Sequence, residues 1–176
     1  MKQRSVLWQW AGFALVTFGG TILHFMYDWT GGSILVALFS GVNESTWEHM
    51  KLLFWPLFLF ALVQRLFFKD QENYWCVKLA GILLGLALIP VLFYTYNGVF
   101  GKSPDWINIA IFYISAALVF LFEWWAFKND KLICNHPRLS FPTICLIGVL
   151  FVVFTFSPPR IPLFQDPLTG TYGIGV

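Results

Sequence analysis

Five stretches of mostly apolar residues dominate the chain, and each is close to the about 20 residues that a transmembrane helix needs. The first is too long and too aromatic for a cleaved signal peptide, so we count it as a span. The loops between the stretches are short, which predicts one transmembrane domain over residues 1–176. The predicted spans are Val6 to Tyr27, Trp47 to Phe68, Tyr74 to Tyr96, Trp106 to Phe127 and Leu139 to Phe156.

A sixth apolar run, Ser33 to Phe39, is too short to cross a membrane and lies between glycine-containing segments. We expect a short re-entrant or interfacial helix there, because non-helical backbone at membrane depth must be covered by protein. The predicted fold class is therefore all-α: an integral membrane bundle of five transmembrane helices, with this short helix after the first span and an irregular C-terminal tail.

Composition supports a membrane protein. Hydrophobic residues make up 58% of the 176 residues and charged residues 11%, against roughly 45–50% and about 25% in soluble domains. A domain of this size cannot hide so much apolar surface in a soluble core. The net charge of +2 implies no polyanionic partner, so the composition argues against nucleic-acid binding, and membrane lipids are the expected partners. A homo-oligomer stays open.

The distribution of lysine and arginine predicts the orientation. Cytoplasmic loops carry an excess of these residues. With the N-terminus in the cytoplasm and the C-terminus outside, eight basic residues lie inside and three outside. The inside set is Lys2, Arg4, Arg65, Lys69, Lys78, Lys128, Lys131 and Arg138, and the outside set is Lys51, Lys102 and Arg160.

Two clusters of polar residues lie at the predicted outer end of the bundle. His24 and Asp28 end the first span, four residues apart and therefore on one helix face. Glu44, Glu48 and His49 surround the start of the second span. Because one helix ends and the next begins at this level, we expect the two clusters to converge.

These residue types suit a divalent metal such as zinc. We predict His24, Asp28, Glu48 and His49 as ligands. A zinc ion with an open position activates a bound water, and Glu44 would then serve as the general base. The candidate catalytic residues are accordingly Glu44, Glu48 and His49.

A purely structural interpretation of part of this cluster stays open. Ser45 and Glu48 have the spacing of a capping box, in which each side chain satisfies the other's backbone N–H. The two glutamates also lie at a helix N-terminus, where the helix dipole favours anions. The cap accounts for Ser45 and Glu48. It does not explain why His24, Asp28, Glu44 and His49 all occur at one level, and this favours a functional site.

The C-terminal tail, 157–176, is rich in proline and glycine but also carries apolar residues, unlike a disordered polar tail. We expect it to fold back over the outer end as a lid, with a turn at Asp166 to Gly170. Polar residues that end the third span and begin the fourth, among them Tyr94, Asn97 and Asn108, lie at the same level. The predicted lid or substrate-binding residues are Asn43, Trp47, Lys51, Arg160, Asp166 and Tyr172.

The three cysteines, Cys76, Cys134 and Cys145, lie on the predicted cytoplasmic side or in the membrane. Thiols stay reduced in that compartment, so we expect no disulfide.

Three segments resemble a family of small bacterial multi-pass membrane proteins of unknown function. They are Gly41 to Pro56 (GVNESTWEHMKLLFWP), His24 to Gly31 (HFMYDWTG) and Pro158 to Ile174 (PPRIPLFQDPLTGTYGI). The resemblance covers most of the chain. It implies a membrane fold of five or six spans, and it carries no assigned activity or catalytic residues.

These patterns favour metal-assisted hydrolysis or binding of a lipid or small amphiphile at the outer leaflet. Two alternatives stay open. One is a transporter or channel component that binds a cation or small solute at the same cluster. The other is a structural or accessory membrane subunit in which the cluster only caps and anchors helices.

Overall fold

The computed structural model describes residues 2–102, 104–129, 134 and 136–174, with side chains from residue 6 onward. The described chain is helical throughout, apart from loops and one isolated β-bridge. This confirms the all-α class. The α-helices are α1 (Lys2–Trp29), α2 (Ile34–Ala37), α3 (Thr46–Arg65), α4 (Tyr74–Phe100), α5 (Asp105–Asn129) and α6 (Pro137–Phe156).

Four of these helices are long and apolar enough to cross a membrane: α4, α5, α6 and the part of α1 from Val6 onward. Helix α3 coincides with the remaining predicted span and has 20 residues. It falls outside the set because polar residues such as Glu48 and Lys51 in its first turns lower its hydropathy. Most long helices extend by a few residues beyond the predicted bounds, as helix termini commonly do.

Helix α3 occupies the centre of the bundle and contacts α1, α4, α5 and α6. Its residues Leu53, Phe54 and Leu57 are almost wholly buried and form the core with Ile82 of α4 and Phe151 of α6. The outward faces of the other long helices carry exposed large apolar side chains. Such faces suit a lipid surround rather than water.

Glycines let α1 approach its neighbours closely. A Cβ atom added at Gly12 would lie 2.5 Å from ring atoms of both Phe60 and Phe120, and one at Gly20 would lie 2.5 Å from Phe112. A side chain at either position would force these aromatic rings to move.

The short helix α2 confirms the prediction of a brief helical segment after the first span. The tail continues from α6 through the 3-10 helix Pro162–Phe164 and a bridge between Gln165 and Tyr172. Phe164 packs on Trp47 at the start of α3, with ring centroids 4.7 Å apart. The tail therefore folds back onto the bundle, as predicted.

Two features at the opposite end of the bundle were not predicted from the sequence: a disulfide and a buried ion pair. Cys76 and Cys134 form a disulfide, with Cα atoms 6.2 Å apart, so the expectation that no disulfide forms is wrong. Lys78 and Glu123 form a buried ion pair at 2.6 Å. This pair joins α4 to α5.

Candidate functional site

His24, Glu44 and His49 meet at one end of the bundle. Glu44 lies between the two imidazoles: its Oε1 is 3.6 Å from His24 Nε2 and its Oε2 is 3.5 Å from His49 Nε2. One potential ligand atom from each of the three residues lies within 4.8 Å of the other two. The sequence prediction of convergence is therefore correct for these three side chains, which we call the His–Glu–His cluster.

The local structure of α3 orients His49. Ser45 is the N-cap of α3, and its Oγ accepts a hydrogen bond from Glu48 N at 3.3 Å. His49 Nδ1 lies 2.9 Å from the Ser45 carbonyl oxygen. A carbonyl oxygen can only accept, so Nδ1 carries a proton, and Nε2 is the ring nitrogen that faces Glu44. A backbone carbonyl on the outer nitrogen is the usual partner of a metal-binding histidine.

A hairpin between α1 and α3 brings Glu44 to the histidines. The buried Ser40 side chain accepts from Tyr27 N at 3.0 Å and donates to the Leu23 carbonyl oxygen. These bonds fasten the segment after α2 to the end of α1, next to His24. The loop that carries Glu44 therefore starts from a fixed point.

Glu48 does not join the cluster. Its Oε2 lies 2.5 Å from Lys51 Nζ, and both side chains are buried. Lys51 also donates to the Ala37 carbonyl oxygen at 3.0 Å and to Thr155 Oγ1 at 2.8 Å, and Glu48 accepts from Val42 N at 3.2 Å. The pair therefore ties α2, α3 and α6 together beneath the cluster. The capping interpretation is correct for Ser45. The Glu48 carboxylate instead pairs with Lys51 and accepts a hydrogen bond from Val42 N.

Asp28 is exposed on the last turn of α1 and is not part of the group of three. Of the four predicted ligands, the structure brings His24 and His49 together. Glu44, which the sequence suggested as a base, lies between them, whereas Asp28 and Glu48 lie outside this group.

Two adjoining cavities of about 290 and 430 Å3 open beside the cluster. Glu44 and His49 line both, and so do Asp105 and Asn108 of α5. Tyr94 and Asn97 of α4 line the smaller one, as the sequence predicted. Asp105 was missed, although its signal was available: it is an acidic residue at the start of a span on the same level.

The tail supplies Leu168 to both cavities, but none of the six predicted lid or substrate-binding residues lines either one. Asn43 Nδ2 instead donates to the Gly173 carbonyl oxygen at 3.0 Å, which fastens the tail. Asp166 accepts from Leu168 N and Thr169 Oγ1 within its own turn. Trp47 packs on the Phe151 ring, and Lys51 is buried in its ion pair with Glu48. Tyr172 forms the β-bridge of the tail, and Arg160 is exposed.

The model of a family of unknown function, DUF6512, matches residues 1–174. The chain belongs to this family. No curated protein and no solved structure matches the chain. Membership of DUF6512 therefore fits the resemblance seen in the sequence and adds no activity to it, so the function rests on the site.

Proposed function

We propose that this DUF6512 protein binds a divalent transition metal of the zinc class through His24, Glu44 and His49. The observation that carries the proposal is the spacing of the ligand atoms. Tetrahedral zinc with bonds of about 2.0–2.2 Å separates neighbouring ligand atoms by about 3.3–3.6 Å. Each histidine Nε2 lies 3.5 or 3.6 Å from a different oxygen of the Glu44 carboxylate, longer than the about 2.9 Å of a direct hydrogen bond. One ligand atom from each of the three residues lies within 4.8 Å of the other two, so a small movement of the side chains would bring them to the spacing of a zinc site.

Two histidines and one carboxylate leave a fourth position open, which is typical of catalytic zinc sites. A metal held there would lower the pKa of a bound water to about 7 and would polarise a carbonyl or phosphoryl oxygen. Asp105 lines the same two cavities as Glu44 and is the carboxylate suited to take a proton from that water. The chemistry we propose is metal-assisted hydrolysis.

The surroundings of the larger cavity favour an amphiphilic substrate. Phe25 of α1 and Ile109 and Tyr113 of α5 line it and are exposed on the outside of the bundle. An opening between two lipid-facing helices would admit a molecule from the bilayer sideways. We therefore infer that the substrate is a lipid or another amphiphile whose hydrolysable group reaches the His–Glu–His cluster.

The membrane arrangement we propose has five spans, with α3 as the fifth. This helix is long enough, and it buries its charged side chains against its neighbours, as ionisable residues inside membranes do. An odd number of spans and the excess of basic residues at the opposite end support a site on the extracytoplasmic side.

The test is elemental mass spectrometry of the detergent-purified protein after zinc loading and removal of free metal. We expect about one equivalent of metal in the wild type and in Asp28→Asn, and almost none in His24→Ala or Glu44→Gln. Asp28→Asn is the matched control because it removes a carboxylate on the same helix outside the cluster. A wild type without metal, or variants that all retain it, would refute the site.

A metal-binding protein then needs a catalytic assay. Hydrolysis of fluorogenic acyl and phosphodiester amphiphiles should require the metal and should fall at least a hundredfold in Asp105→Asn, with metal content unchanged. Metal binding without turnover of any such substrate would leave a metal-binding membrane protein and remove the hydrolase.

A further inference from the structure

A second cavity lies on the seam between α1 and α5, at the other end of the bundle. It has a volume of about 420 Å3, and its lining is apolar except for one side chain. The apolar part includes Phe13 of α1 and Ala117, Phe120 and Leu121 of α5, and the polar residue is Gln9. We call this cavity the Gln9 groove.

Gln9 is only 6% exposed, and neither its Nε2 nor its Oε1 has a hydrogen-bond partner among the described residues. A buried amide without partners costs free energy, and more so where lipid rather than water surrounds the protein. The side chain lines the groove, and its two amide atoms are covered by the surrounding protein in this conformation. A ligand group that the amide turns to meet in the groove would therefore remove the cost.

The Gln9 groove is separate from the His–Glu–His cluster. Gln9 and His24 lie on one helix, and 15 residues at about 1.5 Å each separate them by about 22 Å. Gln9 lies about two helical turns from Lys2, where α1 begins. The groove is therefore near one end of the helix, where the polar linkages of membrane lipids are within reach.

We infer that the Gln9 groove binds one acyl chain of a membrane amphiphile, and that Gln9 recognises a polar group carrying both a donor and an acceptor. An amide offers one acceptor and an N–H2 donor. A simple ester only accepts and would leave Oε1 unpaired. A hydroxyl or amide N–H next to a carbonyl satisfies both atoms.

A slender chain fits this groove better than a second copy of the protein does. Gln9 is recessed, whereas the residue beside it, Trp10, is 70% exposed. A helix packing against α1 would contact Trp10 before it reached Gln9. An acyl chain has the width to enter between the two helices.

The test is a titration of the detergent-purified protein followed by native mass spectrometry, with 1-monooleoylglycerol and methyl oleate as the two probes. The first offers hydroxyls beside an ester carbonyl, and the second offers the carbonyl alone. We expect the wild type to retain monooleoylglycerol about fivefold more strongly, the gain of one net hydrogen bond. Gln9→Leu should retain both probes equally.

Two further variants keep the result interpretable. Ala117→Phe fills the groove and should lose both probes, whereas Leu118→Phe changes the neighbouring residue, which does not line the groove, and should bind like the wild type. Equal retention of both probes by the wild type, or retention unaffected by Ala117→Phe, would overturn the inference. A dimer that dissociates in Gln9→Leu would also overturn it and would assign the surface to a second copy. The outcome does not depend on the metal site, because the metal-free protein should behave identically.

Discussion

The imidazole rings of His24 and His49 lie with their centroids 5.6 Å apart, one near the end of α1 and the other in the first turn of α3. The hairpin between the helices makes this possible. Ser40 bonds to the backbone of α1 at Tyr27 and Leu23, and Glu44 then follows within a few residues. The cluster is thus assembled by a short connection whose ends are both fixed.

Ser40 should therefore position the cluster without touching a metal. In Ser40→Ala the hairpin loses its bonds to α1, and we expect zinc affinity to fall about tenfold, as for other residues that orient ligands. Competition with a chromogenic chelator measures this. Thr30→Ala is the control, because Thr30 bonds only within α1. Equal affinities in Ser40→Ala and the wild type would contradict a positioning role.

The two glutamates near the start of α3 should separate stability from metal binding. Glu48→Gln leaves Lys51 buried without its counter-ion, which we expect to cost about 3 kcal/mol of unfolding free energy. Glu44 is 41% exposed, so Glu44→Gln should change stability by less than about 0.5 kcal/mol and remove the metal. Thermal unfolding of the metal-free proteins in one detergent compares them.

A double variant checks the reason for the Glu48 effect. Glu48→Gln combined with Lys51→Met removes both charges and should recover part of the lost stability. If the double variant is as unstable as the sum of the two single ones, the ion pair is not the cause.

Most of the fold could be predicted from the sequence, because the bilayer fixes both helix length and hydrophobicity. The level of the cluster followed from the same argument, since His24 ends one helix and His49 begins another. The sequence did not predict which of the two carboxylates, Glu44 or Glu48, lies beside the histidines and which one is buried. Glu44 and Glu48 are four residues apart and look alike in sequence. Only the position of Lys51 against Ala37 and Thr155 decides which one is buried.

The ion pair between Lys78 of α4 and Glu123 of α5 could not be predicted from the sequence for a similar reason. Lys78 lies close to a helix end and is counted among cytoplasmic charges, yet it is 1% exposed and faces Glu123. Sequence spacing does not show which residues of two different helices face each other. The aromatic rings of Phe60 and Tyr74 lie 5.2 and 5.7 Å from its Nζ and complete the enclosure.

Because the Lys78 side chain is enclosed, we expect its substitution to lower the free energy of unfolding strongly. In Lys78→Met, Glu123 keeps no cationic partner among the described residues, and we expect a loss of about 3–5 kcal/mol of unfolding free energy. Lys78→Met with Glu123→Leu should be markedly more stable than the single variant. Lys128→Met serves as the control, because that lysine is exposed over the Trp124 ring. Normal stability of Lys78→Met would show that the pair contributes nothing to the fold.

Metal binding should depend on pH in a defined direction. Imidazole binds metal only in its neutral form, so binding releases protons and affinity rises with pH. Histidine side chains gain a proton around pH 6.5 in unperturbed peptides, and we expect zinc to be retained at about pH 7.5 and lost towards about pH 5. Dialysis at a series of pH values followed by elemental analysis measures this. Retention that is flat over that range would argue against two histidine ligands.

The count of basic residues and the disulfide favour opposite orientations of the bundle in the membrane. The count of basic residues assigns the end with Cys76 and Cys134 to the cytoplasm, whereas disulfides are rare in that compartment. We follow the charge count, because seven residues against two remain at loops and helix ends when the buried Lys78 and Lys51 are left out. Alkaline phosphatase fused after residue 174 should then be active, and the same enzyme inserted between Lys69 and Asp70, in the loop between α3 and α4, should be inactive. The opposite pattern would place the His–Glu–His cluster in the cytoplasm. The disulfide would then lie on the extracytoplasmic side, where disulfides form and persist.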